Sequence, residues 1–215
     1  VVNPPGVPHA VLFGVSFAVP AGTLLAVIGP SASGKSSLAQ ALVGVWPAVS
    51  GKVRLDGADV YAWDKTNLGP YVGFLPQDVA LFAGTIGENI ARFCVPDAEK
   101  VRAAAELVGL HEFIESLPDG YDTEVGDEGA YLSGGQRQRI GLARAVYGDP
   151  RLVVLDEPNA SLDEQGELAL RNCLQALKSR GVTVVLITHR PALLQISDAI
   201  LVLQGGRVAL FGPRD

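Results

Sequence analysis

An apolar run, TLLAVI (residues 23–28), leads directly into GPSASGKSS (residues 29–37). Glycine, four residues and then Gly-Lys-Ser is the spacing of a loop whose backbone N–H groups surround a phosphate at the head of a helix. The chain must therefore place a buried strand, a tight loop and a helix in succession, which commits it to an α/β class. Gly29 and Gly34 supply backbone conformations closed to other residues. Lys35 is expected to reach the β and γ phosphates, and the Ser36 hydroxyl to ligate Mg²⁺. Pro30, Ser31, Ala32, Ser33 and Ser37 complete the cradle. The alternative is a glycine-rich turn that only joins strand to helix, and the full pattern between the two argues against it.

Further β-rich runs at 152–155 and 183–188, each followed by a helical pattern, predict a mainly parallel central sheet flanked by helices. Helices are expected at 36–43 and 164–178, with a third opening at Pro191. The closing AILVL and VALF, separated by a turn at 204–207, read as an antiparallel hairpin. Between 81 and 138 the strand patterns stop. Helices are expected there at 86–93, at 98–108 behind an Asp97 cap, and at 110–116. This is a helical lobe inserted into a catalytic core of 1–80 and 139–215.

With 215 residues, 48% of them hydrophobic, the chain has enough apolar material for such a core. A net charge of −6 without a basic cluster weighs against nucleic acid as a partner. No apolar run approaches the ~20 residues of a membrane helix. Cys94 and Cys173 read as reduced, buried thiols. The absence of methionine, even at position 1, suggests a piece of a longer chain.

Two further motifs carry chemistry. In LVVLDEP (residues 152–158), Asp156 ends a buried strand where open α/β sheets bind ligands, a place to hold Mg²⁺. Glu157 is then positioned to polarise a water for attack on the γ-phosphate. It could instead be the first-turn acid of a helix, a reading that Pro158 disfavours. In LSGGQRQR (residues 132–139), Ser133 caps a helix entered through Gly134, Gly135 and Gln136 and running to Tyr147. That is a second anion-binding helix terminus, and one nucleotide rarely needs two from the same protomer.

With these motifs in this order, the sequence resembles the nucleotide-binding domain of ATP-binding cassette (ABC) proteins, whose signature is LSGGQ. The resemblance implies a P-loop NTPase fold of ABC type, ATP hydrolysis with Mg²⁺, and a head-to-tail pairing of two copies. Ser133 and Gly135 of one copy would contact the γ-phosphate held by Lys35 of the other. Gln77 matches the glutamine that touches Mg²⁺ and faces the transmembrane partner, Asp163 the aspartate at the dimer seam, and His189 the switch histidine near the γ-phosphate. Taken singly these would be a loop amide, a helix cap and a strand end.

Three departures stand out. Ala32 replaces a common glycine, and in a helical-side conformation its methyl group would cost little. ASLD replaces the common SALD around Asp163. The adenine-stacking aromatic of the family falls near Pro4, where none is present, and His9 is the only ring close by in that stretch. Phosphates and Mg²⁺ are then expected to supply most of the affinity, with weak discrimination between ATP and GTP.

No long insertion separates Lys35 from Asp156, which excludes the coiled-coil arrangement of chromosome-type relatives. LFAGTIGENIARF (residues 81–93) resembles the segment after the Q-loop in exporters. GPSASGKSS, VGVWPAVSGKVRLDGADV, GFLPQDVALFAGTI and LDEPNASLDEQGE together are similar to the ATPases of bacterial type I protein secretion, in the protease-exporting branch. That resemblance implies an upstream transmembrane domain, a periplasmic adaptor, an outer-membrane channel and an exported protein substrate. It places the domain at the cytoplasmic face of the bacterial inner membrane. An exporter of drugs or lipids, or a soluble non-transport ABC ATPase, is the alternative.

Overall fold

Three strands with almost uninterrupted burial make the centre of the fold: β1 (Leu24–Ile28), β5 (Leu152–Asp156) and β6 (Thr183–Ile187). Such Val/Leu/Ile runs suit strands covered on both faces. With β4 (Val72–Leu75), β7 (Ala199–Gln204) and β8 (Arg207–Pro213) they form one sheet in the order β4-β5-β6-β1-β7-β8. Every pairing is parallel except the expected β7–β8 hairpin. A separate antiparallel ribbon joins β2 (Arg54–Leu55) to β3 (Ala58–Asp59). This computed structural model describes residues 1–6 and 9–214.

Helix α1 (Lys35–Leu42) starts directly at the phosphate loop. After the short α2 (Lys65–Leu68), the expected helical stretch contains α3 (Ile86–Ile90), α4 (Ala98–Leu107) and α5 (His111–Glu115). Asp97 caps α4 by accepting from the Lys100 N–H, as its position before the helical pattern predicts. Then follow α6 (Gly134–Val146), α7 (Glu164–Ser179) and the four-residue α8 (Pro191–Leu194). One apolar cluster packs α3–α7 against the sheet through residues such as Ile90, Ile140 and Leu155. The other places α1 on the opposite face, with Leu25, Leu38 and Val154. No helix among the described residues is long and apolar enough to cross a membrane.

Two close approaches fix α6 relative to the sheet. A Cβ on Gly73 of β4 would lie 1.8 Å from the Ala145 carbonyl oxygen, so only glycine lets the strand and helix come this near. Arg92, just past α3, is half-buried with a left-handed backbone (φ 58). Its guanidinium donates to the carbonyls of Gly69, Val72, Arg144, Ala145 and Tyr147 at 2.7–3.4 Å. The thiol expectation holds in part. Cys173 is buried, and burial pushes its thiol up to about 12, whereas Cys94 is exposed because it lies in the loop after Arg92 and Phe93 rather than on a helix.

Candidate functional site

The carboxyl ends of β1, β5 and β6 lie side by side, so the loops leaving them converge. The loop after β1 carries residues 29–37. Lys35 is 8% exposed, and its ammonium donates to the carbonyls of Gly29 (2.9 Å) and Pro30 (3.0 Å). Gly29 and Gly34 have positive φ (156 and 100), in agreement with the sequence. Ala32 does not adopt the expected helical-side conformation. Its φ is 61, in the left-handed region where a Cβ crowds the carbonyl, so the methyl is strained by about 1 kcal/mol and confers no entropic advantage. The Ser33 hydroxyl is buried without a partner. A phosphate-gripping loop accounts for such an atom, because the loop's polar groups wait for an anion.

Asp156 closes β5, 3% exposed, with the Ser36 hydroxyl hydrogen-bonded to it. Burial holds its carboxyl above the usual carboxylate range, and this outweighs the Ser36 hydrogen bond and the Lys35 charge. A buried carboxylate and a hydroxyl one strand apart form an all-oxygen donor pair of the kind Mg²⁺ takes. The residues present therefore fit MgATP.

The raised pKa predicts a stability effect. Below the ordinary value of 3.8 both the folded and unfolded chains carry the proton, and no penalty is felt. As pH rises from there through the raised folded value, the unfolded chain ionises first and stability falls. Above that value the full penalty remains. Asp156→Asn should therefore stabilise the ligand-free protein near neutral pH, and the gain should vanish in acid. Urea melts at pH 7 and pH 3 decide it, and a gain of equal size at both would contradict the assignment.

Glu157 follows with φ 50, strained for a side chain of this size. Its N–H donates to the Ile187 carbonyl (3.0 Å), and its own carbonyl accepts from Ala160 (3.1 Å) and, weakly, from the Gln138 amide (3.5 Å). These bonds hold the unusual backbone and aim the carboxylate at His189, whose Nε2 lies 3.5 Å from Glu157 Oε1. The fully buried Thr188 fixes the loop carrying His189, donating to Asn159 Oδ1 (3.2 Å) and accepting from the Arg190 N–H (3.1 Å). Gln77 lies exposed on the loop leaving β4, the strand next to β5.

Ser133 caps α6 in a reciprocal box with Gln136. Its hydroxyl accepts from the Gln136 N–H (3.2 Å), while its own N–H donates to Gln136 Oε1 (2.8 Å). The hydroxyl proton stays available. A Cβ on Gly135 would lie 2.9 Å from the Ser161 carbonyl oxygen, so contact within the chain already demands glycine there; at Gly134 the approach is an ordinary 3.6 Å. Asp163 caps α7 through the Gly166 N–H (2.8 Å), the plain role open to it.

The structure thus brings Lys35, Ser36, Asp156, Glu157 and His189 together. Among the described residues no hydrogen bond or ion pair joins this group to residues 133–136. Sequence reading passed over Thr188, Asn159, Gln138 and Ser161, which position the others. Their contacts are long-range and no motif spacing signals them.

The family model described as ABC transporter matches residues 12–160. The chain is 53% identical over 214 residues to the type I secretion system ATP-binding protein PrsD of Rhizobium meliloti (strain 1021), covering 99% of this chain and 37% of that protein. It is 40% identical over 198 residues to the ATP-dependent lipid A-core flippase of Burkholderia pseudomallei (strain 1710b), covering 92% of this chain and 33% of the flippase. Among solved structures, a bacterial Atm1-family ABC exporter with ATP bound superposes with a TM-score of 0.90 at 38% identity, over the whole of this chain and 38% of that one. The chain therefore spans roughly a third of the length of each of these proteins, from 33% to 38%.

Proposed function

Because the chain belongs to the ABC transporter family, as an ATPase domain of the exporter kind, we propose that it binds and hydrolyses ATP in two sites shared by paired copies and drives type I protein secretion. The observation that carries the hydrolytic reading is Glu157, held in a strained backbone conformation with its carboxylate beside His189 and directly after Asp156 at the end of β5. Lys35 and the loop N–H groups bind the triphosphate of the substrate. Glu157 accepts the proton of the attacking water, and His189 orients the carboxylate and the γ-phosphate end. Ser36, Asp156 and Gln77 are the residues that would hold Mg²⁺, which when bound neutralises phosphate charge. Ser133, with its free hydroxyl proton, and Gly135 close over the partner copy's γ-phosphate, with Gly134 and Gln136 shaping the helix entry and Asp163 at the seam.

Residues 81–138 form the lobe that meets an upstream transmembrane domain, at the cytoplasmic face of the inner membrane. A periplasmic adaptor, an outer-membrane channel and an exported protein complete the machine. The higher identity to the secretion ATPase than to the lipid flippase supports the secretion branch over lipid export.

Phosphate binding is tested by Lys35→Ala. Loss of a charge-assisted contact worth on the order of 1.5–3 kcal/mol should weaken MgATP at least about tenfold. Unchanged affinity in a titration with a fluorescent ATP analogue would remove Lys35 from the site.

A further inference from the structure

We propose that Phe13 and Arg207 form the platform on which the nucleotide's base rests, an inference that depends on the phosphate-loop reading above. The sheet order sets the direction in which a bound nucleotide must lie. The loop leaves β1, with β5 and β6 on one side and β7 and β8 on the other. Asp156 ends β5, Glu157 follows it and His189 follows β6, so the γ-phosphate end faces that side. The nucleoside end then leaves toward β7 and its turn.

On that side the phosphate loop is bound to a rigid pair of segments. The Gly206 N–H, in the β7–β8 turn, donates to the Ser33 carbonyl (3.1 Å), and the Gly206 carbonyl accepts from the Phe13 N–H (2.8 Å). The packing has no slack, because a Cβ on Gly206 would lie 2.0 Å from the Val11 oxygen and 3.0 Å from the Phe13 ring. Two backbone hydrogen bonds therefore fix Phe13 relative to the loop. Its side chain is 36% exposed although aromatic, and the Arg207 guanidinium carbon lies 5.4 Å from the ring centroid.

An aromatic ring and a guanidinium plane both stack on flat heteroaromatic bases. Neither Pro4 nor the exposed His9 is tied to the loop by a comparable chain of hydrogen bonds among the described residues. Stacking tolerates any base because every base has a π-face. A Phe13–Arg207 platform therefore recognises a nucleoside triphosphate without choosing strongly between adenine and guanine.

Calorimetric titration of the chain with MgATP, MgGTP and magnesium tripolyphosphate separates base from phosphate, with thermal melts verifying that each variant is folded. Phe13→Ala should weaken MgATP and MgGTP about tenfold while shifting tripolyphosphate by less than about twofold, and Phe13→Trp should retain the parent affinities. Arg207→Ala should lower the nucleotide affinities in the same selective way. Unchanged MgATP affinity in Phe13→Ala, with the parent binding tripolyphosphate, overturns the platform alone. An equal loss for all three ligands also overturns it, because the ring would then be supporting the loop. If the parent binds none of them, the phosphate-loop reading fails as well.

Discussion

Glu157→Gln should lower the ATP hydrolysis rate by roughly a hundredfold or more, in line with the loss of a positioned general base. The amide keeps the size and the hydrogen-bonding edge of the carboxylate, so the strained backbone at φ 50, held from Ile187 and Ala160, remains in place. What disappears is the negative charge that takes a proton from water and opposes the γ-phosphate. Affinity for MgATP should therefore be preserved or improved while turnover collapses. The variant should also persist as a dimer with two nucleotides in MgATP, because the step that opens the pair is blocked. Phosphate release under saturating MgATP reads the first effect and light scattering the second. Hydrolysis at the parent rate would mean that Glu157 is not the catalytic carboxylate.

Replacing Arg92 with Met should destabilise the fold by on the order of 3 kcal/mol. The methionine fills comparable space but donates nothing, so five carbonyls at β4, before it and at the end of α6 lose their shared donor. Burial disfavours the Arg92 charge, and removing it recovers part of the loss. The unsatisfied carbonyls outweigh that recovery, because an unpaired buried acceptor forfeits its hydration without compensation. The β4–α6 contact is otherwise made through Gly73, which has no side chain to add adhesion. Urea unfolding measures the difference, and a loss below about 1 kcal/mol would show that water replaces the guanidinium.

The parts of this account legible in the sequence are those in which local pattern and tertiary structure agree. The runs around Leu25, Val154 and Val185 became the sheet centre because only a two-sided core accommodates them. Asp97, Ser133 and Asp163 cap helices as residues of their type do wherever a helix begins. Ala32 was misread because the loop's hydrogen bonding, and not the residue's preference, sets its φ. Cys94 was misread because the chain leaves its helix after Ile90, through the left-handed pair Arg92 and Phe93. Phe13 is distant in sequence from Gly206, which also bonds Ser33, and meets it only when β7 pairs with β1.

The claim that each site is shared between two copies is tested most directly by complementation. Lys35→Ala removes the phosphate grip from one surface, and Ser133→Arg places a bulky cation on the other. Each variant alone should be inactive, because every pair it forms lacks one half of both sites. When the two are mixed, a heterodimer joins the intact Lys35 of one chain to the intact Ser133 of the other and completes one site. Phosphate release from the mixture should exceed that of either variant alone and rise with total protein concentration. A mixture as inactive as its components, while each still folds and Ser133→Arg still binds MgATP, would contradict a site built from two chains.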